Sequence, residues 1–195
     1  MFKNLLHYFK FKFRLEKAET QTTEQERIEI RKFASSSKIA VEIGVFEGVN
    51  TCTIASVLDK NGVLYAIDPF TKGRLGICYG KLITLLNVKR NKLNNKVKLI
   101  EKLSFDAIKD VPDHIDFIFI DGDHSFDGFK NDWINWSNKI KIGGIVALHD
   151  TEVPPHDKTV SNLGCYKYYK KYITKDIRFL YLKTVDSLNI LKKTN

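Results

Sequence analysis

From residue 39 onward the chain alternates short unbroken apolar runs with longer segments whose apolar residues recur every three or four positions. The runs IAVEIGV (39–45), GVLYAID (62–68), KVKLIEK (96–102), IDFIFIDG (115–122) and GIVALHD (144–150) read as strands buried on both faces. Residues 50–58, 78–92, 104–110 and 126–140 read as the helices between them, the last closed by Gly143-Gly144. Such an alternation predicts an α/β fold with a doubly wound, mostly parallel sheet covered by helices on both faces. After Pro154-Pro155, residues 160–173 read as a helix. IRFLYLKT (177–184) and SLNILKK (187–193), two residues apart, predict an antiparallel C-terminal hairpin that brings the sheet to seven strands.

The segment ahead of this alternation follows another pattern. Phe2, Leu5, Leu6, Phe9 and Phe13 fall on one helical face and Lys3, Lys10 and Lys12 mostly elsewhere, which predicts a basic amphipathic helix. Such a helix suits peripheral contact of residues 2–15 with an anionic membrane, a contact in a homo-oligomer, or a cover for the protein's own core. Thr23 and Glu26 have capping-box spacing, so a second helix is expected to run to about Phe33. The expected organisation is a helical extension over residues 1–36 and one α/β domain over 37–195.

Composition narrows this picture only a little. Of the 195 residues 43% are hydrophobic and 28% charged, ordinary for a globular chain. Cys52, Cys78 and Cys165 form no CxxC pair, which points to a reducing compartment without structural zinc. No apolar run reaches the ~18–20 residues of a membrane span and no secretory leader pattern is present, so cytoplasm is the expected location. The net charge is +9, but the lysines are spread along the chain with few aromatics among them. That reads as a solvated surface rather than a nucleic-acid face.

Ligands of doubly wound sheets sit at the carboxyl ends of the strands. The first strand leads into Glu42-Ile-Gly44-Val-Phe-Glu-Gly48, a turn whose spacing differs from the dinucleotide fingerprint GxGxxG. The second strand ends in Asp68, placed to accept hydrogen bonds from the hydroxyls of a ribose. Leu103-Ser104 follows the third strand. The fourth and fifth end in Asp121-Gly-Asp-His124 and His149-Asp150. Each has a purely structural reading as well: a strand-to-helix turn for the glycines, helix caps for Asp123 and Ser125, a wall hydrogen bond for His149.

Together these motifs resemble a class I S-adenosylmethionine-dependent methyltransferase with its Rossmann-like fold. DFIFIDGDHSFDGFKNDWINWSNKIKIGGIVALHDT is similar to the O-methyltransferase subfamily that includes macrolide and aminocoumarin sugar O-methyltransferases. The resemblance covers about residues 38–152 and is most specific over 116–151. It implies S-adenosyl-L-methionine as cofactor, with Glu42, Gly44 and Gly48 along its methionine part and Asp68 on its ribose. Val45, Phe46, Pro69, Leu103, Ser104 and Asp121 complete the implied cofactor site. Asp121 would also be a metal ligand with His149 and Asp150, and His124 the general base. The pair matched by His149-Asp150 is usually two acids. An imidazole there suits manganese, iron or zinc better than magnesium. The implied reaction is O-methylation of a sugar, glycan or other small-molecule hydroxyl, assisted by magnesium or manganese.

Among other chemistry-bearing residues, Trp133 and Trp136 are spaced for helix packing, and His156 and Asp157 belong to a loop over the site. Lys72, Arg74 and Tyr79 could meet an anionic acceptor. Three rival readings are weaker. A base-directed nucleic-acid methyltransferase would carry [N/D]-P-P-[Y/F] where Asp-Gly-Asp-His stands. A nicotinamide oxidoreductase would carry GxGxxG, and Tyr166 with Lys170 lacks a supporting Ser. A non-catalytic module docking on membranes through residues 2–15 would not need paired site motifs.

Overall fold

Runs of β-branched and aromatic residues set the sheet, because they fit a pleated surface packed on both sides. The computed structural model describes residues 2–73 and 76–195, with the Phe2 side chain outside the description. Its seven strands are β1 (Ile39–Ile43), β2 (Val63–Ile67), β3 (Val97–Ile100), β4 (Ile115–Ile120), β5 (Ile140–Leu148), β6 (Phe179–Val185) and β7 (Leu188–Lys193). They stand in the order β3-β2-β1-β4-β5-β7-β6. The first five are parallel, and β7 runs antiparallel to both β5 and β6. This is the expected doubly wound, mostly parallel sheet with its antiparallel hairpin. β1 pairs with β2 on one side and β4 on the other, so the strand order reverses there and a crevice opens at the carboxyl ends.

Among the described residues six α-helices flank the sheet: α1 (Phe2–Lys12), α2 (Glu24–Ala34), α3 (Val49–Ala55), α4 (Tyr79–Arg90), α5 (Phe126–Ser137) and α6 (Gly164–Lys171). One face buries Ile43, Ile118, Ile120 and Leu148 under Phe129, Trp133 and Trp136 of α5 and Tyr168 of α6. The other buries Leu64, Phe117 and Phe119 with Ile30 of α2 and Ile54 of α3. Both tryptophans are thus core. The capping box forms as expected: Thr23 accepts from the Glu26 amide and Glu26 from the Thr23 amide. Among the described residues no helix is long and apolar enough to cross a membrane.

Three expected elements differ. Residues 104–110 hold a turn over 104–106 and a 3-10 turn at Ile108–Asp110 rather than one continuous helix, and the chain is extended at Val111 (φ −114°), just before Pro112. α5 ends at Ser137, and the chain enters β5 at once, where Ile140 pairs with Ile115. Gly143-Gly144 therefore lies inside the strand, Gly143 at φ +83°, beside a register shift against β4. The expected helix 160–173 breaks at Gly164, where a Cβ would stand 1.9 Å from the Phe126 amide nitrogen. That close approach lets the first amides of α6 bond the His124 carbonyl, at 2.8 and 3.2 Å.

Candidate active site

The turn after β1 is tied to its neighbours through backbone. Gly44 has φ +88°, and a Cβ there would lie 2.0 Å from the Asp121 carbonyl oxygen, so only glycine lets β1 and β4 end side by side. Asp68, at the end of β2, grips this turn. Its Oδ2 accepts from the amides of Val45 (2.9 Å) and Phe46 (3.2 Å), and its Oδ1 from Phe70 (2.7 Å). The cleft above measures about 660 Å³ and is lined by Gly44, Val45, Phe46, Asp68, Pro69, Leu103, Ser104 and Asp121. That volume suits a nucleoside-sized ligand.

Two residues expected in the lining are not part of it. Glu42 is fully buried and receives a 2.6 Å hydrogen bond from Thr51 Oγ1. Burial pushes its carboxyl well above the ordinary range, and the charges of Asp121 and Asp68 push it the same way. Gly48, at φ +76°, begins α3 where a Cβ would press on Thr84 of α4, so its glycine serves helix packing.

Residues that the sequence did not single out also face the cleft: Glu19, Thr20 and Gln21 from the segment before α2, Phe105, and Asn131 and Asp132 of α5. Asp132 is buried and bonded by the Ser104 hydroxyl; burial raises its carboxyl to about 6. Ser125 caps α5 by accepting from the Gly128 amide at 3.0 Å.

At the other end of the cleft Asp121 enters a cluster of side chains. Its Oδ1 faces His149 Nδ1 at 3.0 Å and His124 Nε2 at 3.2 Å. His124 Nδ1 lies 3.6 Å from Asp150 Oδ2. Behind them His149, 4% exposed, is wedged between Asp121 and Glu26 of α2, its Nε2 3.4 Å from Glu26 Oε2. Glu26 Oε1 in turn accepts from the amide (2.9 Å) and hydroxyl (2.8 Å) of Ser187. Burial works against the charge on His149 but is outweighed by Asp121, Asp150 and Glu26, which hold its proton affinity well above the ordinary level. Burial likewise opposes ionisation of Asp121, and the two imidazoles more than reverse it. The bond to Asp121 raises the proton affinity of His124 despite partial burial.

Asp121, His124 and Asp150 each offer a ligand atom within 4.8 Å of the others. Two carboxylates and an imidazole fit a divalent cation such as manganese better than magnesium. His149 is expected among the ligands, but it stands behind this group with its ring nitrogens facing Asp121 and Glu26. Asp150 sits at φ +54°, a left-handed conformation for a residue with a side chain. Of the remaining candidates, Asp157 caps a 3-10 turn through Thr159 and His156 is exposed. Tyr79 lines a second recess with Phe46 and Phe70, whereas Lys72 is exposed and Arg74 lies outside the described residues.

Residues 41–151, which contain the glycine turn, Asp68 and the whole Asp121–Asp150 stretch, match a family described as methyltransferase domain. The chain belongs to that methyltransferase family. Two curated relatives are uncharacterised proteins, 26% identical in Sinorhizobium fredii and 27% in Acanthamoeba polyphaga mimivirus, each match covering 66% of this chain. The matches span 14% and 62% of those relatives' own lengths. Among solved structures, a cofactor-bound protein from MTB superposes with a TM-score of 0.72 at 14% identity, covering 99% of this chain and 91% of that one. An O-methyltransferase from Bacillus cereus in complex with SAH gives 0.64 at 18% identity, with coverage of 99% and 91%.

Proposed function

We propose that this methyltransferase uses S-adenosylmethionine to methylate a hydroxyl of a sugar, glycan or other small molecule. The observation that carries the reading is the continuity of the cleft: it runs from Asp68, an acceptor for ribose hydroxyls, to Asp121, a member of the His124–Asp150 cluster. The B. cereus neighbour in complex with SAH supports the cofactor.

Methyl transfer to oxygen needs an aligned and partly deprotonated hydroxyl. In this reading His124 keeps its Nε2 proton on Asp121 Oδ1 and accepts the hydroxyl proton at Nδ1, where Asp150 Oδ2 stabilises the new charge. With His124 acting as base it is not a ligand, and Asp121 and Asp150 alone would hold a divalent cation, which would lower the pKa of an oxygen bound to it. Glu19, Thr20 and Gln21 close the cleft from the N-terminal side and help keep water out.

Isothermal titration with S-adenosylhomocysteine tests the cofactor. Micromolar binding is expected, about 100-fold weaker in Asp68→Ala, since hydrogen bonds to a charged group contribute about 1.5–3 kcal/mol. Sugars and nucleotide sugars are then screened as acceptors, with and without manganese, in the wild type and Asp150→Ala. A folded protein that ignores S-adenosylhomocysteine and binds NADH instead overturns the reading.

A further inference from the structure

We propose that α1 is an interfacial anchor whose outward face docks on an anionic lipid surface. The helix is fixed to the body by one edge. Phe11 is buried beneath the Arg90 guanidinium, 4.7 Å from its ring centroid, and Arg90 donates to the carbonyls of Phe11 (3.0 Å) and Lys12 (2.7 Å). His7, on the same edge, lies between Glu16 (2.8 Å) and Glu47 (3.1 Å), and Tyr8 leans on Tyr79.

At about 100° per residue, Leu6, Phe9 and Phe13 fall on the side opposite Phe11. There Leu6 is 47%, Phe9 43% and Phe13 67% exposed, and Leu15 just beyond the helix is 74% exposed. Lys3 and Lys10 border this stripe on one side and Lys12 on the other, with Arg14 and Lys17 following. Residues 2–15 contain no acidic residue. Lys10 pairs with Glu16. Among the described residues Lys3, Lys12, Arg14 and Lys17 form no ion pair with a carboxylate.

An apolar stripe between basic borders, on a helix held rigid from behind, is the arrangement that lies in a headgroup layer: the rings enter the acyl boundary and the lysines meet lipid phosphates. A second copy of the chain docked on the same face would set lysine against lysine, so charge complementarity selects an anionic surface. The inference is independent of the methyl-transfer reading, because it uses none of the cleft residues.

The test is flotation of the full chain with vesicles of phosphatidylcholine alone and of phosphatidylcholine mixed equally with phosphatidylglycerol. Flotation is expected only with the mixed vesicles and is expected to fade at high salt. Lys3→Gln and Lys12→Gln should each weaken it roughly fivefold, and Phe9→Asp with Phe13→Asp should remove it while the circular dichroism spectrum stays unchanged. A Phe13→Trp variant gives a second readout, a blue shift of the added emission on mixing with anionic vesicles. No flotation, flotation equal in all variants, or unshifted Trp emission overturns the proposal. So does a concentration-dependent dimer that the double Asp variant splits, because the face then belongs to a second copy.

Discussion

The two ends of the cleft are held by different kinds of bond. At the Asp68 end one carboxylate gathers three backbone amides from turns within about two dozen residues of it. At the Asp121 end most of the bonds run between side chains, drawn from α2 and the turns after β4, after β5 and before β7. The link from the Ser187 hydroxyl to Glu26 spans 161 residues of chain. Backbone amides stay in place whatever side chains they carry, so the first end tolerates change in all but Gly44 and Asp68. Every member of the second end relies on the ionisation and position of its neighbours, and losing one leaves a charge buried without its partner.

The sharpest way to break this contrast is Glu26→Ala. It strips His149 of a counter-charge in a site that is 1–4% exposed, and removing one partner of a buried pair costs about 3–5 kcal/mol. Urea denaturation at neutral pH should show a loss of that order. A loss below about 1 kcal/mol would mean that the second end is as tolerant as the first.

Glu26 also shows where the sequence stopped being readable. Its capping-box spacing with Thr23 gave it a sufficient local reason, and the structure confirms that role. The same side chain's second attachment, to Ser187 and His149, depends on how α2 packs against the sheet, and no local pattern encodes that. Glu19, Thr20 and Gln21 lie in a segment without periodicity, so nothing marked them as cleft lining. The alternation of apolar runs and helical segments, by contrast, is a local signal repeated along the domain, and all seven strands and their hairpin were legible from it. The start of β5 was misplaced because Gly143-Gly144 has the chemistry of a helix stop, whereas pairing of Ile140 with Ile115 overrides it. Asp68 and the Asp121–His124 turn were visible because strand ends in such sheets face the crevice.

A second perturbation, of intermediate size, lies in the wall of the cleft, at Asp132. Asp132 is an acid whose folded-state pKa is raised to about 6 from an ordinary 3.8. Its ionised form is disfavoured in the fold, so this group lowers stability as pH rises from about 4 to about 6, and the full deficit holds above that. Asp132→Asn should therefore stabilise the protein by about 2–3 kcal/mol at pH 7 and by nothing near pH 3.5. Thermal unfolding of both proteins across this range checks the crossover, and a gain that does not vary with pH would contradict it.

The smallest expected effect lies at the surface. Partial burial opposes the charge on His7, but its bonds to Glu16 and Glu47 prevail and raise its pKa above 6.5. A raised folded-state pKa gives stability that is complete below 6.5 and is lost as pH climbs through the folded value. Solvent screening limits it to about 0.5 kcal/mol. His7→Ala should thus cost about that much at pH 6 and less at pH 9, measured by denaturant midpoint.

Asp150, at φ +54°, has a further consequence. A left-handed backbone costs a side-chain-bearing residue about 1 kcal/mol that glycine does not incur. Asp150→Gly would remove that backbone cost but would also strip His124 and His149 of a nearby carboxylate. Breeding for robustness is therefore denied the simplest backbone repair at this turn, because the residue that relaxes the chain leaves two imidazoles short of a counter-charge.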